Sequence, residues 1–62
     1  MYEIFIADCK REMYLRHMTN SDLAKATGYK TSAIYAFFAN LKSRDKSEKV
    51  AKAISVALGI EL

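Results

Sequence analysis

The stretch at residues 19–40 reads TNSDLAKATGYKTSAIYAFFAN, and it predicts two short helices joined by a tight turn. Thr19 followed three residues later by Asp22 is a capping-box pattern, which marks the start of a helix. Leu23 and Ala26 follow at helical spacing, and both are expected to point inward. The first of the two helices therefore begins at a defined residue and has a buried side.

The second helix of the stretch is expected to run from Thr31 to Ala39, residues 31–39. Gly28 precedes it, at a point where a chain that leaves a helix often needs a positive φ. The apolar residues recur at helical spacing and make one face: Ala33, Ile34, Phe37 and Phe38. The opposite face is small and polar with a single aromatic: Thr31, Ser32, Tyr35, Ala36 and Ala39. Such a helix suits entry into a groove.

This spacing resembles the helix-turn-helix of the Cro and phage-repressor family, also called XRE or lambda-repressor-like. The family pattern is Thr-x-x-x-Leu-Ala-x-x-x-Gly with an Ile in the next helix, and it is met here by Thr19, Leu23, Ala24, Gly28 and Ile34. The tail Ala57-Leu58-Gly59-Ile60 also looks like the end of that family's fourth helix. The resemblance spans residues 5–62 and implies an all-α fold, a compact four- to five-helix lambda-repressor-like domain.

Length and composition agree with one small helical domain over residues 1–62. The chain is 52% hydrophobic, with no proline and two glycines, which favours helices throughout. No apolar run is long enough to span a membrane, and the start of the chain lacks the basic leader and cleavage site of a signal peptide. The single cysteine, Cys9, cannot form an internal disulfide, so we expect a cytoplasmic protein.

Neither Cys9 nor the single histidine, His17, indicates catalysis. The expected core stripe of the first helix is Tyr2, Phe5, Ile6, Cys9 and Met13. On this stripe, packing is a simpler role for Cys9 than redox chemistry or metal binding. His17 lies between the first two helices, where the family that the chain resembles often has glycine, and histidine tolerates the left-handed conformation better than most residues. No nucleophile and base are paired, so we expect no enzyme activity, no catalytic residues, no metal site and no cofactor.

Positive charge is concentrated in the second half of the chain. The net charge is +3, but residues 25–52 contain seven cations and two acids. A polyanion is the natural partner of such a region, although a solvated surface would have the same composition.

The first helix is expected from Tyr2 to Arg16, and its outer side is unusually apolar. Ile4, Tyr14 and Leu15 fall outside the core stripe, and they mark either an interface with a second copy or another protein, or scattered exposed residues. The fourth helix is expected to begin near Asp45 as its cap, with the core stripe Val50, Ala51, Ile54, Ala57 and Leu58. Gly59 should end it, and Ile60 and Leu62 should fold back onto the core.

The resemblance to a helix-turn-helix implies two sets of side chains that contact double-stranded DNA, one at the bases and one at the phosphates. The expected base-reading residues are Thr31, Ser32, Tyr35 and Ala36. The expected phosphate-binding residues are Asn20, Ser21, Lys30, Asn40, Lys42, Arg44 and Lys46. For Tyr35 the alternative is an aromatic side chain that covers its own helix.

The resemblance favours a small Cro-like, sequence-specific transcriptional regulator, a phage or mobile-element repressor that binds DNA as a homodimer. The alternative is a protein-binding adaptor on the same fold, of the antirepressor or antitoxin type. The apolar outer side of the first helix favours the adaptor, as does the lack of Arg, Gln or Asn at the centre of the reading face.

Overall fold

Four α-helices make up the part of the chain that the structure describes. A computed structural model describes residues 2–39 and 44–62, with Arg44 described by its backbone alone. The helices are α1 (Glu3–Leu15), α2 (Asn20–Thr27), α3 (Thr31–Phe38) and α4 (Arg44–Leu58), and no strand occurs among these residues. The all-α fold class is confirmed, and α1, α2 and α3 have nearly the predicted bounds.

One hydrophobic core joins the four helices. α2 packs against α3 and α4, and α4 also contacts α1 and α3. The predicted core stripes of α1 and α4 are confirmed, with Tyr2 and Ala57 half-buried at their edges. The buried apolar side chains are Phe5, Ile6, Cys9, Met13, Leu23, Ala24, Ile34, Phe37, Val50, Ala51, Ile54 and Leu58.

The predicted capping box at the start of α2 is present with both of its hydrogen bonds. The Asp22 backbone N–H donates to the Thr19 hydroxyl at 3.2 Å, and the Thr19 backbone N–H donates to the Asp22 carboxylate at 3.0 Å. The backbone hydrogen bond from Thr19 lowers the pKa of Asp22, with a smaller contribution from the Thr19 side chain. Because the folded pKa is lowered, this carboxylate stabilises the fold at neutral pH, and its contribution is lost as the pH falls through that pKa.

Gly28 ends α2 in the left-handed conformation that was predicted, with φ of 80°. The inward position predicted for Ala26 is wrong, because Ala26 is exposed and Ala24 is buried instead. Both residues flank Leu23 on the helix circumference, about 100° to one side and 60° to the other. Ala24 is buried in the core while α2 packs against α3 and α4, so the packing partners decide which alanine is buried.

Two expectations for the end of the chain are also wrong. α4 begins at Arg44, so Asp45 is not its cap but lies in its first turn. There the negative charge of Asp45 still interacts favourably with the positive end of the helix dipole. Leu62 does not fold back, since 57% of it is exposed. Ile60 does pack on the core, after Gly59 adopts φ of 67° and the Ile60 N–H donates to the Ser55 carbonyl at 3.1 Å.

The end of α1 is a Schellman motif built without glycine. His17 has φ of 55°, and its N–H donates to the Tyr14 carbonyl at 3.2 Å. The Met18 N–H donates to the Met13 carbonyl at 2.8 Å, which places Met18 against the core. The expected left-handed conformation at His17 is confirmed. A side chain with a Cβ in this conformation carries a backbone strain that glycine would not have.

Replacing His17 by glycine is therefore expected to stabilise the protein by about 0.5–1 kcal/mol, or roughly 4 °C in melting temperature. Thermal unfolding followed by circular dichroism measures the shift. His17→Ala removes the imidazole but keeps the Cβ, so it should give no comparable gain. Equal gains from both variants would show that the imidazole, and not the left-handed backbone, destabilises this turn.

Candidate nucleic-acid interface

α3 has one side anchored in the core and one side facing solvent. Ile34 and Phe37 are fully buried, which fixes the rotation of the helix about its axis. On the other side Ser32 is exposed, and Tyr35 is 61% exposed. The other two expected base readers, Thr31 and Ala36, are half-buried, so Ser32 and Tyr35 have the greatest reach.

Aromatic contacts hold α3 against the start of α1. The Phe37 ring centroid lies 5.6 Å from that of Tyr2 and 6.2 Å from that of Phe5, at tilted or edge-on angles. Phe38 lies beside it, with a centroid distance of 5.8 Å. Such geometries add to the burial of the rings. The outer residues of α3 are therefore carried on a helix that is fixed from beneath.

An open, shallow groove of about 300 Å³ lies where α3 meets α1 and the start of α2, and it is lined by Lys10, Asn20, Tyr35, Phe38 and Ala39. It brings together one predicted phosphate-binding residue, Asn20, and one predicted base reader, Tyr35. The groove also contains a cation that the sequence analysis did not single out. The Lys10 ammonium lies 5.8 Å from the centroid of the Phe38 ring, a cation–π contact.

Lys10 was missed because its sequence neighbourhood gives no signal for it. It follows Cys9 on α1, far along the chain from the cluster of cations at residues 25–52. Only the packing of the helices places it beside α3. Phe38, predicted on the apolar face of α3, is half-buried: it packs against the core and also forms part of the groove wall.

The structure locates four of the seven predicted phosphate-binding side chains. Asn20 is half-buried in the groove, and three others are exposed: Ser21, Lys30 and Lys46. Lys30 immediately precedes α3 in extended backbone, and Lys46 lies on α4. The predictions for Asn40, Lys42 and the Arg44 side chain lie outside the described residues.

Two other cations are held by partners within the protein. The Arg16 guanidinium donates to the Leu58 carbonyl at 2.9 Å and to the Glu12 carboxylate at 3.2 Å, so it joins the ends of α1 and α4. Lys52 lies 3.7 Å from Glu48 on the surface of α4. Lys10 and Lys30 are both exposed, and the structure places Lys10 over Phe38 of α3 and Lys30 immediately before α3.

Cys9 is a packing residue, as the core stripe predicted. It is completely buried, and this burial raises the pKa of its thiol to about 12, with a smaller contribution from the nearby charge of Asp8. The thiol is therefore protonated at neutral pH, and a protonated thiol is a poor nucleophile and metal ligand. Across residues 2–39 and 44–62, no three His, Cys, Asp or Glu side chains are grouped as metal ligands would be.

The apolar residues predicted on the outside of α1 are exposed: 81% for Ile4, 80% for Tyr14 and 63% for Leu15. They share one side of the helix, within about 100° of its circumference.

Each helix in the described part of the chain is too short or too polar to cross a bilayer.

Comparisons of the chain with models of protein families, with curated proteins and with solved structures found no match.

Proposed function

We propose that this protein is a small, Cro-like, sequence-specific DNA-binding transcriptional regulator of the phage or mobile-element repressor type. It would work in the cytoplasm and place residues 31–39 in the major groove of double-stranded DNA. The observation that carries the proposal is α3 itself. Its buried face is anchored by Ile34 and Phe37, while Ser32 and Tyr35 are exposed, and Tyr35 lines the same groove as Lys10. A rigid helix with a small outer face and cations at its side matches the needs of major-groove binding.

Phosphate binding would begin at the amino end of α2. The backbone N–H groups of the first turn have no partner inside the helix, and the helix dipole favours an anion there. The capping box uses the N–H groups of Thr19 and Asp22, which leaves those of Asn20 and Ser21 for a phosphate. Lys10 in the groove would bind the same strand through its charge.

Base reading would depend on few and weak contacts. The Ser32 hydroxyl and the Tyr35 phenol can each donate or accept a hydrogen bond, and the methyl group of Ala36 can contact a thymine methyl. None of these side chains makes the bidentate contact that Arg makes to guanine or Asn to adenine. DNA shape and water-mediated contacts would therefore supply part of the specificity.

Selection of bound duplexes from a random pool tests this function directly. We expect an enriched sequence, with an affinity that falls steeply with salt. In a plot of the logarithm of the binding constant against the logarithm of the salt concentration, each neutralised phosphate steepens the slope by about 0.9. About five neutralised phosphates per subunit would therefore give a slope of about 4 to 5. No enrichment, together with no salt-dependent binding to any duplex, would rule the function out.

Changes at the outer face of α3 should alter the sequence preference rather than the general affinity. Tyr35→Phe removes one hydroxyl and Ser32→Ala another, and neither change disturbs a buried group. Each is expected to relax discrimination at one base pair by about fivefold to tenfold. Competition binding with single-base variants of the selected site measures this. Val56→Ser, at an exposed position on α4, is the control that should change nothing. If the sequence preference is unchanged in both α3 variants, the placement of α3 in the major groove of DNA is wrong.

The second candidate function is a protein-binding adaptor on the same fold, of the antirepressor or antitoxin type. The exposure of Ile4, Tyr14 and Leu15 on α1 favours it, because exposed apolar clusters often mark protein interfaces. Co-purification of a different protein, with no affinity for duplex DNA, would support the adaptor over the regulator.

A further inference from the structure

Four residues on the outer side of α1 form a stripe with an unusual order. Ile4, Asp8, Arg11 and Leu15 are spaced by four, three and four residues, so they fall within about 60° of the helix circumference. Ile4, Arg11 and Leu15 are exposed, and Asp8 is half-buried. The order is apolar, acidic, basic, apolar.

This stripe is complementary to itself when it is turned end over end. In a two-fold contact between antiparallel helices, residue pairs that face each other have numbers with a constant sum. About an axis between Asp8 and Arg11, the partner's Leu15 faces Ile4 and the partner's Arg11 faces Asp8. Each apolar position of the stripe then faces an apolar residue, and the ion pair between Asp8 and Arg11 forms twice. A parallel arrangement would instead place like charges opposite each other.

We propose that α1 packs antiparallel against α1 of a second copy of this chain, in the register that pairs position 4 with 15 and position 8 with 11. This inference goes beyond DNA binding and does not depend on it. The spacing of four and three residues is also the spacing of the seam between packed helices.

The surroundings of the stripe agree with a second copy as its occupant. Neither Asp8 nor Arg11 makes an ion pair within the described part of the chain, so both charges are available for one. An open groove of about 290 Å³ adjoins Ile4, with Asp8 and Leu62 among its lining residues. In the proposed register the partner's Leu15 would enter this groove and cover Leu62, which is otherwise exposed.

The contact is small, and the dimer should therefore be weak in the absence of other interactions. The stripe is about 16 Å long, and a pair of helices of that length lies at the low end of the area of specific interfaces. We expect a dissociation constant in the range of about 10–500 μM. Sedimentation equilibrium of the full chain, up to the highest soluble concentration, measures it.

Charge reversal tests the register. Asp8→Arg and Arg11→Asp each bring like charges together twice in a homodimer, so each is expected to raise the dissociation constant at least about tenfold. An equimolar mixture of these two variants should form heterodimers of at least wild-type affinity, because all four facing charges are then opposite. The double variant Asp8→Arg/Arg11→Asp should also regain the wild-type constant.

Three results would overturn the proposal. The first is a wild-type protein that stays monomeric at every concentration. The second is a dimer whose constant is unchanged by either single reversal. The third is weakening that neither the mixture nor the double variant repairs, with circular dichroism showing all variants folded. Ile4→Ser should weaken the dimer. Val56→Ser should leave it unchanged, although Val56 on α4 is as exposed as Ile4.

Discussion

Phe37→Ala is expected to lower the melting temperature by roughly 15–30 °C, which leaves much of the protein unfolded at 37 °C. Phe37 is 1% exposed, and its ring contacts those of Tyr2 and Phe5 on α1. Removal of a buried phenylalanine costs about 3–5 kcal/mol, because the lost burial is joined by the cost of a cavity. A domain of this size has a total stability of roughly 3–9 kcal/mol. Thermal and urea unfolding followed by circular dichroism measure the loss.

Phe38→Ala is the matched control, since the same side chain is removed from the next residue of the same helix. Phe38 is half-buried and borders the open groove beside Lys10, so solvent can fill the space that its ring leaves. We expect a cost of about 1–2 kcal/mol, well below that of Phe37→Ala. If the two variants lose equal stability, the assignment of Phe37 as the residue that anchors α3 is wrong.

Lys10→Glu is expected to weaken DNA binding by about 10- to 100-fold at low salt, for every sequence alike. The reason is that Lys10 lies in the groove with Asn20 and Tyr35, where the proposed function puts a phosphate. The charge reversal removes one attraction and adds a repulsion, so the log–log salt slope should fall by about 1–2. Titration of a labelled duplex at several salt concentrations gives both quantities.

Lys52→Glu makes the same change in net charge at a different place. Lys52 lies on α4 beside Glu48, and the structure does not place it in the groove. We expect less than about a threefold loss of affinity from it. Equal losses from the two variants would mean that net charge alone governs binding, and the groove beside α3 would then have no special role.

The start of α2 and the ends at Gly28 and Gly59 were predicted correctly from the sequence because each depends on neighbours in the chain, whereas the cap predicted at Asp45 was wrong. Thr19 and Asp22 form their hydrogen bonds within one turn, and Gly28 reaches its left-handed conformation through local sterics alone. The alternation of buried and exposed residues along α1 and α4 is also a local property of each helix.

The features that could not be predicted from the sequence depend on contacts between distant parts of the chain. Ala24 and Ala26 lie on opposite sides of Leu23, and only the packing of α2 against its neighbours decides which of them is buried. Lys10 is an ordinary exposed lysine until the fold places it over Phe38. The location of a cation beside the candidate site is therefore a tertiary property, and periodicity along one helix carries no information about it.

Because Cys9 is completely buried, its thiol can serve as a built-in probe of local unfolding. Because the thiol is inaccessible and protonated in the folded state, alkylating reagents should modify it only during transient exposure of the core. The labelling rate then measures the free energy of that exposure at a single site, without any added probe. Anything that binds only the folded chain, such as an operator duplex or a second copy, should slow the labelling in proportion to its occupancy.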